Sequence, residues 1–257
     1  MTIEKGENLR SVSLKLKNEN IIRSRLAFEA MAIMRGGELR LMYSHYLFDS
    51  KLPVYEIVRR IKKGEHRIPQ IKVTIPEGFS NSEIADMFLT KLLAFDKNKF
   101  LADASSKEGY LFPDTYFFFA TGSADDVLKI MADNYEKKIM PLREEIFASG
   151  KTEEQIIIMA SIIEGEAKGD ADRETISGIL WKRLNMNMPL QVDVVPETYK
   201  TRGLPDSPIS NPGLKSIMAA IYPANSIYLY YLHDKSGRIH YAKTFAEHRA
   251  NIVRYLK

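Results

Sequence analysis

Two acidic residues stand at the end of a long apolar stretch, and their spacing gives them different surroundings. Glu164 and Glu166 directly follow the apolar residues 156–163. At about 100° per residue on a helix, Glu164 lies within about 20° of Ile157, whereas Glu166 lies about 160° away from Glu164. The sequence therefore predicts that Glu164 meets the interior or the floor of a cleft, that Glu166 meets solvent, and that the two do not share a site.

A buried carboxyl is a useful acid. An apolar environment disfavours the charged form of a carboxyl and so raises its pKa. A carboxyl that is still protonated near neutral pH can give its proton to a leaving glycosidic oxygen. Glu164 is therefore a candidate general acid, and the alternative interpretation is a glutamate at a helix end that pairs with a neighbouring Arg or Lys.

The segments around these acids are predicted to be helices joined by a long loop. Thr152 and Gln155 form a capping-box pattern that opens the helix carrying both acids, and a second helix is expected over 170–187. Residues 189–213 contain five prolines and little periodicity, which predicts a loop of the kind that often carries function. A β-hairpin over 227–243 and a terminal helix over 244–256 follow.

The sequence pattern of the N-terminal part predicts a small separate unit. Residues 18–35 and 53–63 have helical spacing, and residues 39–48 have strand character. We therefore expect an α+β protein in which a small module at 1–67 precedes a mixed helical catalytic domain at 68–257. Short strands and the C-terminal β-hairpin complete that domain.

The composition excludes several classes of function. The net charge of +4 comes from 37 basic and 33 acidic residues without a basic block, so no nucleic-acid partner is expected. The absence of cysteine excludes disulfides and thiolate metal sites. The five histidines show no metal-ligand spacing, and we expect neither metal nor cofactor.

Short motifs occur in order along the chain. They are IPEG at 75–78, EGYLFPDTY at 108–116, ASIIEGE at 160–166, LQVD at 190–193, GLP at 203–205 and ISNPG at 209–213. Together they resemble the MltG (YceG-like) family of endolytic murein transglycosylases over about residues 71–256. Residues 1–65 resemble the LysM-like N-terminal module of that family more weakly.

The resemblance implies a lytic transglycosylase. Such an enzyme cleaves the bond between N-acetylmuramic acid and N-acetylglucosamine in peptidoglycan without water and leaves 1,6-anhydromuramic acid ends. Endolytic action on nascent glycan would limit strand length. The resemblance assigns the catalytic role to Glu164, which would act first as the acid and then as the base.

The resemblance also implies residues that bind the substrate. Gln191, Asp193 and Asn211 match cleft positions, and Tyr199 and Glu166 are weaker candidates for the same role. Turn formation is the alternative explanation for Asp193 and Asn211. The segment 194–202 is shorter than in many members of the family, which predicts a shorter cleft wall.

Partners and location follow from the same resemblance. We expect peptidoglycan glycan strands as the substrate and cell-wall synthases as protein partners. The sequence itself has no stretch of about 18 apolar residues. An N-terminal anchor in the full-length protein would hold the catalytic domain on the outer, periplasmic or extracytoplasmic, side of the cytoplasmic membrane, in the cell envelope.

The sequence is compatible with two other functions. A hydrolytic muramidase would need a second carboxylate at a suitable distance, with Asp193 or Glu197 as candidates. A non-catalytic protein that binds peptidoglycan or serves as a division scaffold would bind the wall without turnover.

Overall fold

A computed structural model describes residues 1–4, 6–35, 44–48, 52–65, 70–169 and 172–257. The protein combines helices with short two-stranded sheets, which confirms the predicted α+β class. The chain divides into two compact units, Met1–Ile71 with Phe118–Thr121, and Lys72–Phe117 with Gly122–Lys257. The predicted boundary between residues 67 and 68 lies outside the described residues. No helix within the described ranges combines the length and apolar character that crossing a bilayer requires.

The first unit is a small α+β arrangement with its own core. Its elements are β1 (Thr2–Ile3), α1 (Leu9–Asn18), α2 (Arg25–Met34), β2 (Ser44–His45) and α3 (Val54–Lys63). Strands β1 and β2 are antiparallel. The single helix predicted over 18–35 is wrong at its start, because Asn20 takes a left-handed conformation and Ser24 caps a new helix. Of the strand predicted over 39–48, residues 39–43 lie outside the described residues.

The second unit contains the remaining elements. They are β3 (Gln70–Thr74, from Lys72 on), α4 (Asn81–Leu89), α5 (Lys97–Asp103), β4 (Thr115–Phe119, up to Phe117), α6 (Ala124–Ile139), α7 (Arg143–Ala148), α8 (Glu153–Glu166), α9 (Arg173–Asn185), α10 (Leu214–Ile221), β5 (Tyr230–His233), β6 (Ile239–Ala242) and α11 (Phe245–Tyr255). Pro141 lies in a 3-10 turn between α6 and α7, since proline lacks the N–H that a continuous helix needs.

Helix α8 forms the centre of the second unit. Thr152 and Gln155 form a reciprocal capping box at its start, and every residue from Ile156 to Ile163 is buried. Both observations confirm the prediction of a capped and largely buried helix. Helices α9 and α10 pack against α8. The apolar middle of α8 therefore belongs to the core, and only its last turn, with the two acids, reaches the edge of that core.

The C-terminal hairpin and helix were predicted correctly. Strands β5 and β6 pair in antiparallel register, with Tyr231 opposite Tyr241 and Leu232 opposite His240. The Thr244 side chain accepts a hydrogen bond from the backbone N–H of Glu247 and so caps α11. Helix α11 packs against both strands, which brings the hairpin and α11 together as one substructure.

Candidate active site

A cleft of ≈ 530 Å³ lies at the C-terminal end of α8. Its walls come from the end of α8, the segment 191–199, strand β5 and helix α11. The predicted site residues that line it are Glu166, Gln191, Asp193 and Tyr199. Among the described residues that form this lining, Glu164 and Asn211 do not occur. The cleft thus brings together four of the six predicted site residues.

Glu166 is a partly buried carboxyl with two donors. The hydroxyl of Tyr231 donates to its Oε2 at 3.0 Å, and the backbone N–H of Val194 donates to its Oε1 at 3.3 Å. Burial raises the pKa of Glu166, and these two hydrogen bonds act in the opposite direction. Because its pKa is raised, Glu166 can act as a proton donor at a higher pH than an ordinary glutamate.

The prediction that Glu166 faces solvent is wrong. The helical geometry correctly separates the two acids, since Glu164 and Glu166 contact different partners. However, strand β5 and the segment 191–199 fold over the side of α8 that the helix alone leaves open. Gly165 permits this approach, because a Cβ at that position would lie 2.8 Å from Val194 Cγ1.

Glu164 takes part in a buried ion pair. Its Oε1 accepts a hydrogen bond from Arg173 at 3.1 Å, and its Oε2 accepts one from the backbone N–H of Gly213 at 2.9 Å. Its side chain is 7% exposed. Arg173 also donates to Ser216 at 3.0 Å. Glu164 thus connects α8 with α9 and with the start of α10, which is the arrangement that the alternative interpretation describes.

Gln191 is held in place by a buried arginine. Gln191 has φ 51°, a left-handed conformation that is strained for a residue other than glycine. Its side-chain oxygen accepts a hydrogen bond from Arg183. Arg183 is 4% exposed and also donates to the carbonyl of Pro189 at 2.9 Å and to that of Leu229 at 3.2 Å. Burial lowers the pKa of Arg183.

Asp193 and Tyr199 form a second polar group in the cleft. The hydroxyl of Tyr199 donates to Oδ1 of Asp193 at 2.6 Å. Burial and the Asp193 carboxylate raise the pKa of Tyr199 to about 12, so the phenol remains a donor at any physiological pH. Tyr199 is 49% exposed and therefore accessible to a ligand in the cleft.

Asn211 does not contact the cleft, and a direct contact between Asn211 and a sugar is incompatible with this structure. Its side chain is fully buried. Its Oδ1 accepts a hydrogen bond from the N–H of Leu111 at 2.9 Å, and its Nδ2 donates to the carbonyl of Phe79 at 2.9 Å. Asn211 also donates to Asn81 at 2.9 Å. These bonds join three distant parts of the chain, which is a structural role.

Two side chains that hydrogen-bond predicted residues of the cleft were missed from the sequence. Tyr231 contacts Glu166, and Arg183 contacts Gln191. A signal for Arg183 was present, because it shares a helical stripe with the buried Ile176 and Leu180, and a charge on such a stripe needs buried partners. Tyr231 carries no such signal, since its contact depends on how the hairpin folds against α8.

The described residues contain no group of three or more His, Asp or Glu side chains that is arranged to hold a metal ion. The polar groups of the described cleft residues are two carboxylates, three phenols, one amide, two imidazoles and the ammonium group of Lys168. This set suits proton transfer and hydrogen bonding to a hydroxyl-rich ligand.

Comparison with known proteins identifies the family. The model of the YceG-like family matches residues 1–195 and 197–254. The chain belongs to the YceG-like family. This finding confirms the resemblance to that family which the ordered motifs indicate. A crystal structure of a YceG-like protein from Listeria monocytogenes has a TM-score of 0.64 and 27% identity, and the match covers 97% of both chains.

Two relatives of this YceG-like chain have names that state an activity. A Bacillus subtilis (strain 168) protein named endolytic murein transglycosylase is 25% identical over 305 residues, covering 100% of this chain and 84% of that protein. A Streptococcus pneumoniae (strain D39) protein of the same name is 23% identical, covering 99% of this chain and 58% of that protein. The chain thus spans somewhat more than half the length of the Streptococcus protein.

Proposed function

We propose that this protein is a lytic transglycosylase that cleaves peptidoglycan glycan strands and that Glu166 is its catalytic acid. The observation that carries the proposal is the position of Glu166, a carboxyl with a raised pKa in the cleft that Gln191, Asp193 and Tyr199 also line. The names of the relatives from Bacillus and Streptococcus support peptidoglycan as the substrate.

The proposal gives the catalytic role to Glu166, whereas the family resemblance implied Glu164. The Glu164 side chain is 7% exposed, accepts hydrogen bonds from Arg173 and from Gly213, and lies outside the described lining of the cleft. Glu166 lines the cleft, where it accepts hydrogen bonds from the hydroxyl of Tyr231 and, at a longer distance, from the backbone N–H of Val194. The two acids belong to one motif, and their burial in different surroundings gives them different roles.

The proposed reaction uses one carboxyl twice. Protonated Glu166 gives its proton to the oxygen that links C1 of N-acetylmuramic acid to C4 of N-acetylglucosamine, and the C1–O bond breaks. The C6 hydroxyl of the same muramic acid attacks C1 and forms the 1,6-anhydro bond. The Glu166 carboxylate takes the hydroxyl proton, so the acid is regenerated and no water is consumed.

Each neighbour of Glu166 has a role in this scheme. The Tyr231 hydroxyl stabilises the carboxylate form of Glu166 after the first proton transfer. The amide nitrogen of Gln191 offers a donor to sugar hydroxyls or acetamido groups, and the phenol oxygen of Tyr199, whose proton goes to Asp193, offers an acceptor. Arg183 acts as a positioning residue, since it holds Gln191 in its left-handed conformation.

A hydrolytic muramidase is the second candidate function, and the position of Asp193 supports it. Asp193 is a second carboxylate in the same cleft as Glu166, and a two-carboxylate hydrolase needs such a pair. The mass of the product separates the two reactions. Hydrolysis leaves a reducing muramic acid end that is heavier by one water than the anhydro end.

The test compares matched variants of the two acids. Purified wild-type protein is expected to release anhydro-ended fragments from peptidoglycan, as measured by mass spectrometry. Glu166→Gln is expected to lower the rate by about 100-fold or more, the usual contribution of a general acid. Glu164→Gln is expected to keep activity in proportion to its folded fraction, measured by circular dichroism. Full activity of a folded Glu166→Gln protein would overturn the assignment.

Further parts of the proposal concern the protein in its cell. We propose endolytic cleavage of nascent glycan that limits strand length, and a location in the cell envelope, where this substrate lies. We also propose that the first α+β unit is a LysM-like module. Membrane anchoring and contact with cell-wall synthases stay predictions.

A further inference from the structure

Helix α11 turns an unusual face towards the cleft. Phe245, His248, Ile252 and, directly after the helix, Leu256 follow one another at spacings of three and four residues and line the cleft. Such a stripe on an amphipathic helix normally packs into a core. Here no residue of α11 is buried, and Phe245 is 58% exposed. The stripe thus forms a mostly apolar wall that is open to a ligand.

This wall differs in chemistry from the wall opposite. Glu166, Gln191 and Asp193 present oxygen and nitrogen atoms that suit sugar hydroxyls. The aliphatic side chains of Ile252 and Leu256 cannot hydrogen-bond, and burial of an alkyl group is the contact that they favour. A sugar ring can pack its C–H face on an aromatic ring such as that of Phe245, so the part of the wall that a glycan backbone leaves unexplained is the aliphatic pair Ile252 and Leu256.

Two imidazoles near the wall have unused ring nitrogens. In the part of the chain that the structure describes, Nδ1 of His248 and Nε2 of His233 are buried and lack a hydrogen-bond partner. Both residues line the cleft. Because these two nitrogens have almost no accessible surface, the imidazoles offer their ring faces to the cleft rather than hydrogen bonds.

A positive charge completes this side of the cleft. Lys168 is exposed and lines the cleft two residues after Glu166. It makes no ion pair with any of the described acidic residues. A ligand that combines alkyl groups with a carboxylate would therefore match the wall and Lys168 together.

We infer that this side of the cleft binds the short acidic peptide that muramic acid carries on its lactyl group. The inference rests on the proposed function, since it names which form of peptidoglycan the site takes. The peptide begins with alanine and glutamate, which supply a methyl group, amides and a carboxylate. It is attached at C3 of the same sugar whose C1 is cleaved, so its site must be continuous with the one that holds Glu166.

The first experiment compares two substrates that differ only in the peptide. Glycan strands with their peptides and the same strands stripped by an amidase are digested with wild-type protein. We expect kcat/KM to be about tenfold higher for the peptide-bearing strands. Ile252→Asn should remove most of this preference, whereas Val253→Asn should keep it, because Val253 lies on the same helix but is 62% exposed outside the cleft lining. Equal wild-type rates on both substrates would overturn the inference.

A second experiment does not depend on cleavage. N-Acetylmuramoyl-L-alanyl-D-glutamate and N-acetylmuramic acid, which differ only in the peptide, are titrated into Glu166→Gln protein, and binding is followed by calorimetry. We expect the peptide-bearing ligand to bind about tenfold more tightly, and Ile252→Asn and Lys168→Ala each to reduce that difference. Equal affinities would contradict the inference. Tight peptide binding by a protein that cleaves neither substrate would instead reject the proposed function and leave the peptide site standing.

Discussion

The hydroxyl of Tyr231 donates a hydrogen bond to Oε2 of Glu166 at 3.0 Å, and this contact joins the C-terminal hairpin to the end of α8. Burial raises the pKa of both groups, and the phenol is the donor. Because the bond favours the carboxylate form of Glu166, Tyr231 sets how far burial can raise the pKa of the proposed acid.

Removal of this donor should shift the pH dependence of activity. In Tyr231→Phe, the pKa of Glu166 should rise further, since one of the hydrogen bonds that lower it is lost. A general acid must be protonated, so the falling alkaline limb of kcat/KM should move to higher pH. The measurement is the rate of glycan release from about pH 4 to about pH 9. Tyr222→Phe, which changes an exposed phenol, is the control, and an identical limb in both variants would contradict the role of Tyr231.

The two acids should have opposite effects on stability. The pKa of Glu166 is higher in the folded protein than in the unfolded chain. Its contribution to the free energy of unfolding is therefore complete below the unfolded-state pKa and is lost as the pH rises through the folded-state pKa. Glu166→Gln has no such loss, so its Tm relative to wild type should increase between ~pH 5 and ~pH 8. Calorimetric unfolding at the two pH values measures this difference.

Glu164→Gln should instead destabilise the protein. It removes the carboxylate that pairs with Arg173 in a site where both side chains are about nine-tenths buried. Hydrogen bonds to charged groups contribute about 1.5–3 kcal/mol, and a loss of about 2 kcal/mol in the free energy of unfolding is expected. Urea denaturation measures it. A Glu164→Gln protein as stable as wild type would show that this ion pair has no structural role.

Local patterns explain the elements that the sequence predicted correctly. The capping box at Thr152, the apolar run of α8, the hairpin and α11 each depend on residues that are close in the chain. The family resemblance adds the shared position of Gln191 and Asp193. Both kinds of signal come from residues that are close in the chain. The structure confirms the elements and brings Gln191 and Asp193 into one cleft, whereas Asn211, which the same resemblance implies, is buried outside the described lining of that cleft.

The surroundings of the Glu164 and Glu166 side chains depend on segments that are distant in the chain. Helical geometry separates Glu164 from Glu166 but does not say which side another part of the chain covers. Tyr231 is 65 residues from Glu166, and Gly213 is 49 residues from Glu164. These contacts form only in the complete fold. Helical geometry alone therefore placed Glu164 on the buried side correctly but missed that Tyr231 and Val194 also cover Glu166.

Arg183 should be required for substrate binding more than for the folded state. Arg183→Lys keeps the charge, but an ammonium cannot reach the carbonyls of Pro189 and Leu229 and the amide of Gln191 in the same geometry. Gln191 should then leave its left-handed conformation. We expect KM for glycan to rise about tenfold with a smaller change in kcat. Arg202→Lys, on the exposed loop, is the control. An unchanged KM would remove Arg183 from the site.

Asn211 should matter for folding and not for substrate contact. Asn211→Ala leaves the N–H of Leu111 without its acceptor in a buried region, whereas the carbonyl of Phe79 keeps the hydrogen bond from the backbone N–H of residue 211. An unsatisfied buried polar group costs about 1–3 kcal/mol, and the free energy of unfolding should fall by about that amount. Asn225→Ala, at an exposed asparagine, should leave it unchanged. Urea denaturation and glycan cleavage at a temperature where the variant is folded separate the two roles. A variant with normal stability and a raised KM would mean that Asn211 contacts the sugar after all.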